Sequence, residues 1–447
     1  MKYSNFDLLV NKKIPSFNRT IKVDSDKSTS IRFFLISSLC QNLSIARNIL
    51  ESQDVRSCIN CLKKLGVKII KRKNSYVVYG NGLGSLNKKK NINLYFGNSG
   101  TLARLIIGIL STTPNFVGNL KGDHSLNKRS MKSLIQLMKC FGASFYPSNK
   151  FFFPLKLVSS NLPVGLKYQA NTSAQLKSAV ILAGLNSYGK TVIEEKYLSR
   201  DHTENMLLSN KNVIKIKKGK KKTITIYGKK NLNSLNLDVC GDPSSAAFFV
   251  SLALLKKNSK IVIKDVGLNP TRIGFYNLLK RHGAKISFRN LKKKNNEIKG
   301  DIVAEYSKLK PIKASKKYYV NSTDEYPILF VIAALTKGIS IFKGIQDLAN
   351  KESNRIKEMQ KVLKQIGIKS FATKGGIKIY GDGLIDSSNK KIYVSNLGDH
   401  RICMSSFVLA ILTGAKAKIK NFDTVFTSSP SFLKIMRKLN AKYQIQK

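Results

Sequence analysis

Helix-like and strand-like segments alternate along the whole chain, and their hydrophobic patterns differ. Residues 105–110 (LIIGIL) form an apolar run that is typical of a helix, whereas residues 76–79 (YVVY) and 377–380 (IKIY) have the alternating or β-branched and aromatic character of strands. Each apolar helical run begins directly after a cluster of small and polar residues. Such clusters cap helix N-termini, so they mark where each predicted helix begins.

These helix openings recur at a nearly constant interval, which indicates an internal repeat. By subtraction of residue numbers, neighbouring openings are 71 to 80 residues apart. The six openings are at Ser28, Ser99, Ser173, Ser244, Asp324 and Asp399. The chain is therefore predicted to consist of six related units.

A second feature has the same spacing as the openings. About half a unit after each opening, a Gly or Asn follows a helical pattern and precedes a strand, as expected for a left-handed helix C-cap. These residues are Gly66, Gly142, Asn212, Gly283, Gly367 and Asn440. Each unit is predicted to contain a strand, an apolar helix, a strand, a capped helix and a strand pair. The fold class is α/β, and six units favour two similar domains because single cores rarely exceed about 250–300 residues.

Candidate chemistry lies at the helix openings. Residues 97–104 (GNSGTLAR) combine small residues with a helix N-terminus, which suits anion binding, although an ordinary glycine-rich turn has the same pattern. Basic residues fall at or near equivalent openings: Lys27, Arg32, Arg129, Arg200, Lys351, Arg355 and Arg401. If like ends of the units pack together, these cations form a cleft for a substrate with several negative charges. Asp324 and Glu352 in that cleft would be suited to acid/base catalysis.

The chain is strongly basic, with 79 Lys and Arg, 25 Asp and Glu, and a formal net charge of +54 at pH 7. Such a surface is typical of nucleic-acid-binding proteins. However, the lysines are spread through every unit, and no basic stripe interleaved with aromatic residues is present. Some are concentrated in predicted hairpin turns at residues 88–90, 220–222 and 292–294. Codon usage rich in A and T explains this composition, and a preference for anionic partners is the alternative.

Several classes of protein do not fit the sequence. The first residues lack a signal-peptide pattern, and no apolar segment reaches the roughly 18 residues of a membrane span, so a cytoplasmic protein without a membrane is expected. Cys58 and Cys61 form a C-x-x-C pair, but they lie in a helical pattern without a second ligand pair, so they do not indicate zinc. Residues 184–191 match the P-loop pattern, yet they follow a helix and precede a strand, which is the reverse of the required order.

The ordered motifs resemble those of the 5-enolpyruvylshikimate-3-phosphate synthase family over nearly the whole chain. Three of the motifs, at 173–175, 199–203 and 241–245, resemble the bacterial class II branch in particular. The motifs are 27–32 (KSTSIR), 97–101 (GNSGT), 128–129 (KR), 173–175 (SAQ), 199–203 (SRDHT), 241–245 (GDPSS), 324–327 (DEYP), 351–355 (KESNR) and 399–401 (DHR).

This resemblance implies an enolpyruvate transferase fold, an inside-out α/β barrel of two domains that each contain three βαβαββ units. The implied domains are residues 1–22 with 239–447, and residues 23–238, with crossovers near Val23 and Val239 and the active site in the cleft between them. The implied reaction is attack of the 5-hydroxyl of shikimate 3-phosphate on phosphoenolpyruvate, protonation of its methylene, and loss of phosphate. A monomer without metal or organic cofactor, and without a specific nucleic-acid partner, is expected.

The resemblance also assigns residues. Asp324 would accept the hydroxyl proton, Glu352 would serve the methylene, and Lys27 would complete the catalytic set. Shikimate 3-phosphate would be held by Lys27, Ser28, Arg32, Ser173, Ala174, Gln175, Arg200, Asp324 and Lys351. Phosphoenolpyruvate would be held by Lys27, Gly100, Arg129, Gln175, Arg355 and Arg401.

Three positions depart from the family pattern. Asn354 stands where the family usually has Asp, and Thr427 stands where many members carry Lys, which puts a late phosphoenolpyruvate contact in doubt. Gly100 stands where glyphosate-tolerant class II members carry Ala, which predicts sensitivity to glyphosate. Two other functions remain open: a sister enolpyruvyl transferase acting on UDP-N-acetylglucosamine, whose reactive Cys is missing from residues 123–129, and a basic nucleic-acid-binding protein.

Overall fold

A computed structural model describes residues 5–87, 91–383 and 385–447 of the chain. The strands are β1 (Asp7–Val10), β2 (Asn18–Lys22), β3 (Leu43–Arg47), β4 (Lys68–Arg72), β5 (Ser75–Tyr79), β6 (Ile92–Tyr95), β7 (Val117–Lys121), β8 (Ser144–Tyr146), β9 (Leu155–Val158), β10 (Lys167–Ala170), β11 (Lys190–Glu195), β12 (Ile214–Lys217), β13 (Lys222–Tyr227), β14 (Asn236–Asp238), β15 (Lys260–Gly267), β16 (Lys285–Lys294), β17 (Glu297–Glu305), β18 (Lys313–Ala314), β19 (Gly338–Lys343), β20 (Ser370–Thr373), β21 (Gly376–Gly381), β22 (Lys391–Val394), β23 (Lys416–Ile419) and β24 (Gln444–Gln446).

The α-helices alternate with these strands, and three short 3-10 helices accompany them in the described part of the chain. The α-helices are α1 (Lys27–Leu39), α2 (Gln53–Lys64), α3 (Gly100–Leu110), α4 (His124–Asn127), α5 (Lys132–Cys140), α6 (Ala174–Asn186), α7 (His202–Leu207), α8 (Pro243–Leu255), α9 (Gly274–Arg281), α10 (Lys316–Ser322), α11 (Tyr326–Ala334), α12 (Arg355–Gln365), α13 (His400–Thr413) and α14 (Phe432–Lys438). The 3-10 helices are Thr323–Glu325, Gln346–Asn350 and Phe422–Thr427.

The sixfold repeat is confirmed. The described strands form six four-stranded sheets, in the orders β14-β3-β5-β4, β6-β7-β9-β8, β10-β11-β13-β12, β2-β15-β17-β16, β18-β19-β21-β20 and β22-β23-β1-β24. In the third of these, β10 and β11 are parallel, and β13 lies antiparallel to both β11 and β12. A parallel pair needs a crossover. In four of the six sheets the apolar helix lies between the two parallel strands in sequence: α3 between β6 and β7, α6 between β10 and β11, α11 between β18 and β19, and α13 between β22 and β23. The predicted α/β class and the βαβαββ unit follow from this arrangement.

The helix openings lie where the sequence predicts them, with small shifts. Ser99, Ser173 and Asp399 are the N-cap residues of α3, α6 and α13. The openings assigned to Ser28 and Ser244 begin two residues earlier, because the carboxylates of Asp26 and Asp242 cap α1 and α8. A carboxylate accepts hydrogen bonds from first-turn N–H groups and favours the positive end of the helix dipole. Lys27 is therefore the first residue of α1 and does not precede it.

The predicted C-caps are confirmed at five of the six positions. Gly66, Gly142, Gly283, Gly367 and Asn440 have φ angles of 87°, 90°, 93°, 86° and 62°. The prediction for Asn212 is wrong, because α7 already ends at Leu207. The connection to β12 is closed instead by the carbonyl of Asn210, which accepts from the backbone N–H groups of Val213 and Ile214 at 2.9 and 3.2 Å.

The predicted lysine-rich turns have different outcomes. The turn predicted at residues 220–222 is confirmed for Lys220 and Lys221, which lie between β12 and β13, whereas Lys222 is already the first residue of β13. Lys292–Lys294 instead belong to β16, and the turn that follows is made by Asn295 and Asn296, whose φ angles are 51° and 60°. Asn tolerates the left-handed conformation that tight hairpins require. Residues 88–90 lie outside the described residues.

The chain divides into two compact units, each with its own hydrophobic core. The N-terminal unit comprises Ser25–Val239 and Lys294–Glu297, and the C-terminal unit comprises the described part of Met1–Asp24 with Cys240–Lys293 and Ile298–Lys447. The helices α1, α3 and α6 lie in the first core, and α8, α11 and α13 lie in the second. Most residues of these helices are buried on every side, as is typical of helices in the centre of a core.

Two local predictions from the sequence are confirmed: the order of elements around the P-loop pattern and the helical setting of the C-x-x-C pair. Gly184 lies in α6 and Lys190 begins β11, so the P-loop pattern lies at a helix end and not at a helix start. Cys58 and Cys61 are buried, free thiols inside α2. None of the helices among the described residues is long and apolar enough to cross a membrane.

Candidate active site

In the N-terminal unit, Lys27 and Ser28 form the first turn of α1. The ammonium group of Lys27 lies 2.9 Å from the Oδ2 atom of Asp54, and both side chains are largely buried. Asp54 is in turn the second residue of α2. This ion pair holds the lysine at the beginning of the helix, where its remaining donors can bind an acceptor.

Arg32 lies one turn further along α1 and is 3% exposed. Its Nε donates to the hydroxyl of Thr203 at 2.9 Å, its Nη2 donates to the hydroxyl of Ser178 at 3.2 Å, and its Nη1 donates to the carbonyl of Ser28 at 3.1 Å. The hydroxyls of Ser178 and Thr203 are themselves 2.8 Å apart. Because these bonds come from α1, α6 and α7, the plane of this guanidinium is fixed by three helices.

Gly100 and Arg129 come together at the first turn of α3. The Nη2 atom of Arg129 donates to Asn98 Oδ1 at 2.5 Å and to Ser125 Oγ at 3.4 Å. A Cβ atom on residue 100 would lie 2.8 Å from Nη1 of Arg104 and 3.0 Å from Nη1 of Arg129. The missing side chain of Gly100 therefore leaves room for two guanidinium groups beside a helix N-terminus.

The SAQ motif lies at the beginning of α6. The hydroxyl of Ser173 accepts from the N–H of Leu176 at 3.3 Å, and Ala174 is the first residue of the helix. Gln175 donates through Nε2 to the hydroxyl of Thr101 at 3.0 Å. Thr101 is in the first turn of α3, so this bond joins the N-termini of two helices, where partial positive charge accumulates. Arg200 is half-buried between β11 and α7.

The sequence did not predict a group of buried charged side chains in the N-terminal unit. Lys177 is completely buried, and its ammonium group lies 2.8 Å from a carboxylate oxygen of Glu195 and 2.8 Å from one of Glu204. Lys222 lies 3.7 Å from Glu195 and 3.3 Å from Glu204. These four residues are called the lysine cluster below.

Two members of the lysine cluster, Lys177 and Glu204, are stabilised in their charged forms despite their burial. Burial alone would raise the pKa of Glu204, but the charges of Lys177 and Lys222 hold it below its usual value. Burial alone would lower the pKa of Lys177, but the two glutamates raise it. One signal was available in the sequence: Lys177 is the single charged residue in the segment of α6.

In the C-terminal unit, the predicted carboxylates gather around Arg355, which is 1% exposed. Its Nη2 lies 2.6 Å from Glu352, its Nε lies 2.9 Å from Asp399, and its Nη1 lies 3.8 Å from Asp324. Burial alone would lower the pKa of this guanidinium, and the three carboxylates raise it. Arg355, Asp324, Glu352 and Asp399 are called the arginine cluster. Two of the predicted catalytic residues are thus brought to the same cation.

Arg401 is the second residue of α13 and is 4% exposed. Its backbone N–H donates to Asp399 Oδ1 at 2.9 Å. Its guanidinium lies over the ring of Phe248, 5.8 Å from the ring centre, and its Nε and Nη1 have no hydrogen-bond partner among the described residues. A buried guanidinium is costly unless an anion accepts its hydrogen bonds, so this side chain is suited to binding one.

Lys351 lies directly after a 3-10 helix and pairs with a carboxylate that the sequence did not single out. Its ammonium group is 2.5 Å from Asp347 Oδ2, and the hydroxyl of Tyr319 donates to the same oxygen at 2.7 Å. Burial raises the pKa of Tyr319, and so does the neighbouring charge of Asp347. The phenol therefore stays protonated and serves as a donor that fixes Asp347.

Two positions that depart from the family pattern have local structural roles. Asn354 is the N-cap of α12, and its side chain accepts from the N–H of Lys357 at 3.1 Å, as an Asp would. Thr427 is buried and donates its hydroxyl to the carbonyl of Thr424 at 2.8 Å. It supplies no positive charge. Among the described residues, no group of three His, Cys, Asp or Glu side chains has an arrangement that could hold a metal ion.

Comparison with known sequences gives consistent matches. Residues 12–436 match the family described as EPSP synthase (3-phosphoshikimate 1-carboxyvinyltransferase). A 3-phosphoshikimate 1-carboxyvinyltransferase of Persephonella marina is 36% identical over 432 residues, which cover 96% of this chain and 98% of the relative. The enzyme of the same name from Bacillus subtilis is 34% identical, with 96% and 99% covered.

Solved structures agree with these sequence matches. An EPSP synthase from Acinetobacter baumannii has a TM-score of 0.84 and 31% identity, and the match covers 99% of this chain and 100% of that one. The enolpyruvyl transferase NikO from Streptomyces tendae has a TM-score of 0.75 and 11% identity, with 99% of both chains covered. The second likeness bears on the fold alone. Together with the six sheets, these neighbours confirm the predicted enolpyruvate transferase fold.

Proposed function

This chain belongs to the EPSP synthase family, and from that premise we propose which of its residues carry the reaction. The enzyme is a transferase of the shikimate pathway: it transfers the enolpyruvyl group of phosphoenolpyruvate to the 5-hydroxyl of shikimate 3-phosphate and releases phosphate. In this reaction the hydroxyl loses a proton and the methylene carbon of phosphoenolpyruvate gains one, which gives a tetrahedral intermediate with a new methyl group. Phosphate then leaves as that methyl group loses a proton, which restores the double bond of the enolpyruvyl product. Two positioned proton-transfer groups are therefore required.

Asp324 takes the hydroxyl proton, and Glu352 protonates the methylene. The observation that carries this assignment is the arginine cluster, in which both carboxylates lie within 3.8 Å of one buried guanidinium. The side chains of Asp324 and Glu352 are 27% and 19% exposed, whereas Asp399 is fully buried. The first two are therefore open to a substrate, and the third anchors Arg355. Lys27 completes the catalytic set as a cation that stabilises developing negative charge.

The two substrates are anions, and the proposed binding residues are mostly cations and residues at helix N-termini. Fixed cations bring together two substrates that repel each other in water, which supplies orientation as well as affinity. The hydrogen bonds of Arg32, the open guanidinium of Arg401 and the joined N-termini of α3 and α6 support these roles. The shikimate 3-phosphate set is Lys27, Ser28, Arg32, Ser173, Ala174, Gln175, Arg200, Asp324 and Lys351. The phosphoenolpyruvate set is Lys27, Gly100, Arg129, Gln175, Arg355 and Arg401.

The remaining expectations belong to the same proposal. The enzyme acts in the cytoplasm as a monomer on these small molecules, without a specific nucleic-acid partner. Light scattering coupled to size-exclusion chromatography measures the mass in solution, and a dimer would contradict the monomer.

The reaction itself is tested by phosphate release from phosphoenolpyruvate with purified protein. Shikimate 3-phosphate is the acceptor in one sample, and UDP-N-acetylglucosamine is the acceptor in the other. We expect release in the first sample only. Release only in the second would identify the sister activity, and release in neither, with steeply salt-dependent oligonucleotide binding, would favour a role for the basic surface.

Glyphosate sensitivity follows from the space at Gly100. An Ala at this position would push against Arg104 and Arg129, which belong to the environment proposed for phosphoenolpyruvate. We expect micromolar glyphosate to inhibit the unchanged enzyme and Gly100→Ala to weaken this inhibition. Full activity of the unchanged enzyme in micromolar glyphosate would contradict the proposal.

A further inference from the structure

The lysine cluster makes three hydrogen bonds to Ser199 of the N-terminal unit. The backbone N–H and the hydroxyl of Ser199 both donate to Glu195 Oε1, at 2.8 and 2.6 Å. The carbonyl of Ser199 accepts from Lys177 at 3.4 Å. Ser199 is 1% exposed and directly precedes Arg200. The backbone from which Arg200 extends is thus fixed on both sides of the Ser199 Cα atom.

The same helices also hold the second arginine proposed for shikimate 3-phosphate. Ser178 follows Lys177 on α6, Thr203 precedes Glu204 on α7, and both hydroxyls accept hydrogen bonds from Arg32. Because Lys177 joins Glu204 to α6, it also sets the distance between these two hydroxyls. A shift of α7 relative to α6 would move the Arg32 guanidinium and the Ser199–Thr203 segment together.

We propose that the lysine cluster is a positioning device for shikimate 3-phosphate, with Lys177 and Glu195 acting through Ser199 on Arg200. This inference rests on the proposed role of Arg200. Buried ion pairs often contribute no more to stability than well-packed apolar residues of similar size. Fixing a single geometry is a second effect of such a cluster, and misplacement of a binding group by about 1 Å costs up to roughly a hundredfold in rate.

Two double variants separate this role from a general role in folding. Lys177→Met/Glu195→Leu removes all three bonds to Ser199 and leaves Lys222 paired with Glu204. Lys177→Met/Glu204→Leu removes the same charges and leaves Lys222 near Glu195, with both Glu195 bonds to Ser199 intact. Each variant takes one lysine and one glutamate out of the core, so net charge and apolar burial are matched.

We expect the first variant to raise KM for shikimate 3-phosphate about tenfold or more, with little change in KM for phosphoenolpyruvate. The matched variant should raise it by a clearly smaller factor at a similar Tm. Equal changes in both variants, or equal changes in both KM values, would overturn the positioning role. If the first variant does not fold, Ser199→Ala removes one of the bonds without changing charge, and an unchanged KM for shikimate 3-phosphate would then overturn it.

Arg200→Ala, measured in parallel, separates this inference from the proposed function. We expect a raised KM for shikimate 3-phosphate. If Arg200→Ala has this effect and Lys177→Met/Glu195→Leu does not, only the positioning role is overturned. If Arg200→Ala has normal kinetics, the binding role of Arg200 and the positioning role are overturned together.

Discussion

The two units each bury a group of ionised side chains, but the lysine cluster is balanced in charge and the arginine cluster is not. The lysine cluster contains two lysines and two glutamates, and both of its carboxylates are fully buried. The arginine cluster contains one guanidinium and three carboxylates, two of which are partly exposed. The first arrangement pairs each carboxylate with two lysines, which suits a structural task, while the Oε2 atoms of Glu195 and Glu204 have no hydrogen-bond partner among the described residues.

The second arrangement places three carboxylates beside a single cation, and two of them are accessible to solvent. Excess charge in a partly exposed group is a frequent feature of catalytic sites, because the protonation states there respond to small changes.

Arg401 adds a contrast within the same unit. Asp399 binds the guanidinium of Arg355 but only the backbone N–H of Arg401. One arginine is therefore compensated by protein, and the other is suited to a ligand.

The largest expected effect comes from removing a partly exposed carboxylate of the arginine cluster. Asp324→Ala should lower kcat by about 10²–10⁴-fold with a much smaller change in either KM, because a general base acts in the transition state. Glu352→Ala should behave in the same way. The measurement is steady-state phosphate release with both substrates varied.

The control for this prediction is Glu358→Ala. Glu358 lies on α12 and pairs with the exposed Lys361 at 2.8 Å, outside the arginine cluster. Its removal should leave kcat nearly unchanged. A full-rate Asp324→Ala enzyme would show that the exposed carboxylates do not carry the chemistry, and the distinction between the two clusters would lose its functional meaning.

The next effect separates the two arginines by stability. Arg355→Met leaves three carboxylates without their common partner and should lower the free energy of unfolding by about 3–5 kcal/mol. Arg401→Met removes a buried guanidinium whose Nε and Nη1 atoms have no hydrogen-bond acceptor among the described residues. The Tm of this variant should therefore not fall. Its KM for phosphoenolpyruvate should instead rise about tenfold to hundredfold, as expected for lost charged hydrogen bonds. Denaturant unfolding and steady-state kinetics measure the two quantities, and an equal loss of stability in both variants would contradict the contrast.

A smaller effect is expected at Arg129, which lies outside both clusters. Its Nη2 atom donates to the neutral side chains of Asn98 and Ser125. Arg129→Ala therefore does not remove the partner of a carboxylate in either cluster. We expect about a tenfold rise in KM for phosphoenolpyruvate with a nearly unchanged Tm. Lys132→Ala, in the first turn of α5, is a suitable control for the loss of one positive charge. An unchanged KM in Arg129→Ala would remove this residue from the binding set.

The repeat and the helix boundaries could be predicted because their signals are local. A cluster of small and polar residues lies within a few residues of the apolar run that it opens. A Gly or Asn at a helix end indicates a positive φ angle at that same residue. The prediction at Asn212 is wrong because the carbonyl of Asn210 closes this turn, and no pattern around position 212 indicates that hydrogen bond.

The partners inside the clusters could not be predicted, because they depend on packing between distant segments. Lys177 and Glu195 are 18 positions apart, and Arg355 and Asp399 are 44 positions apart. The sequence motifs do not distinguish Arg355 from Arg401, because both are cations at a helix opening. Only the direction in which each guanidinium extends from its helix decides which of them Asp399 neutralises.

The smallest expected effect concerns the pH dependence of the balanced cluster. Because Lys177 and Lys222 hold the pKa of Glu204 below its usual value against the opposing effect of burial, ionised Glu204 stabilises the folded state above that value. This contribution is lost as the pH falls through the lowered pKa. Glu204→Gln lacks it at every pH, so the difference in Tm between the unchanged enzyme and this variant should narrow as the pH falls below the usual glutamate pKa of 4.5.

The matched control is Glu194→Gln, one residue before Glu195. Glu194 pairs with Lys221 at 2.9 Å, but both side chains are exposed, so solvent screens the pair and little change in Tm is expected at any pH. Each kcal/mol lost from the buried cluster should shift Tm by about 2–4 °C, which a thermal scan resolves. A Tm difference for Glu204→Gln that stays constant on acidification would mean that the Glu204 charge adds nothing to stability. The balanced cluster would then act through packing and hydrogen bonds alone.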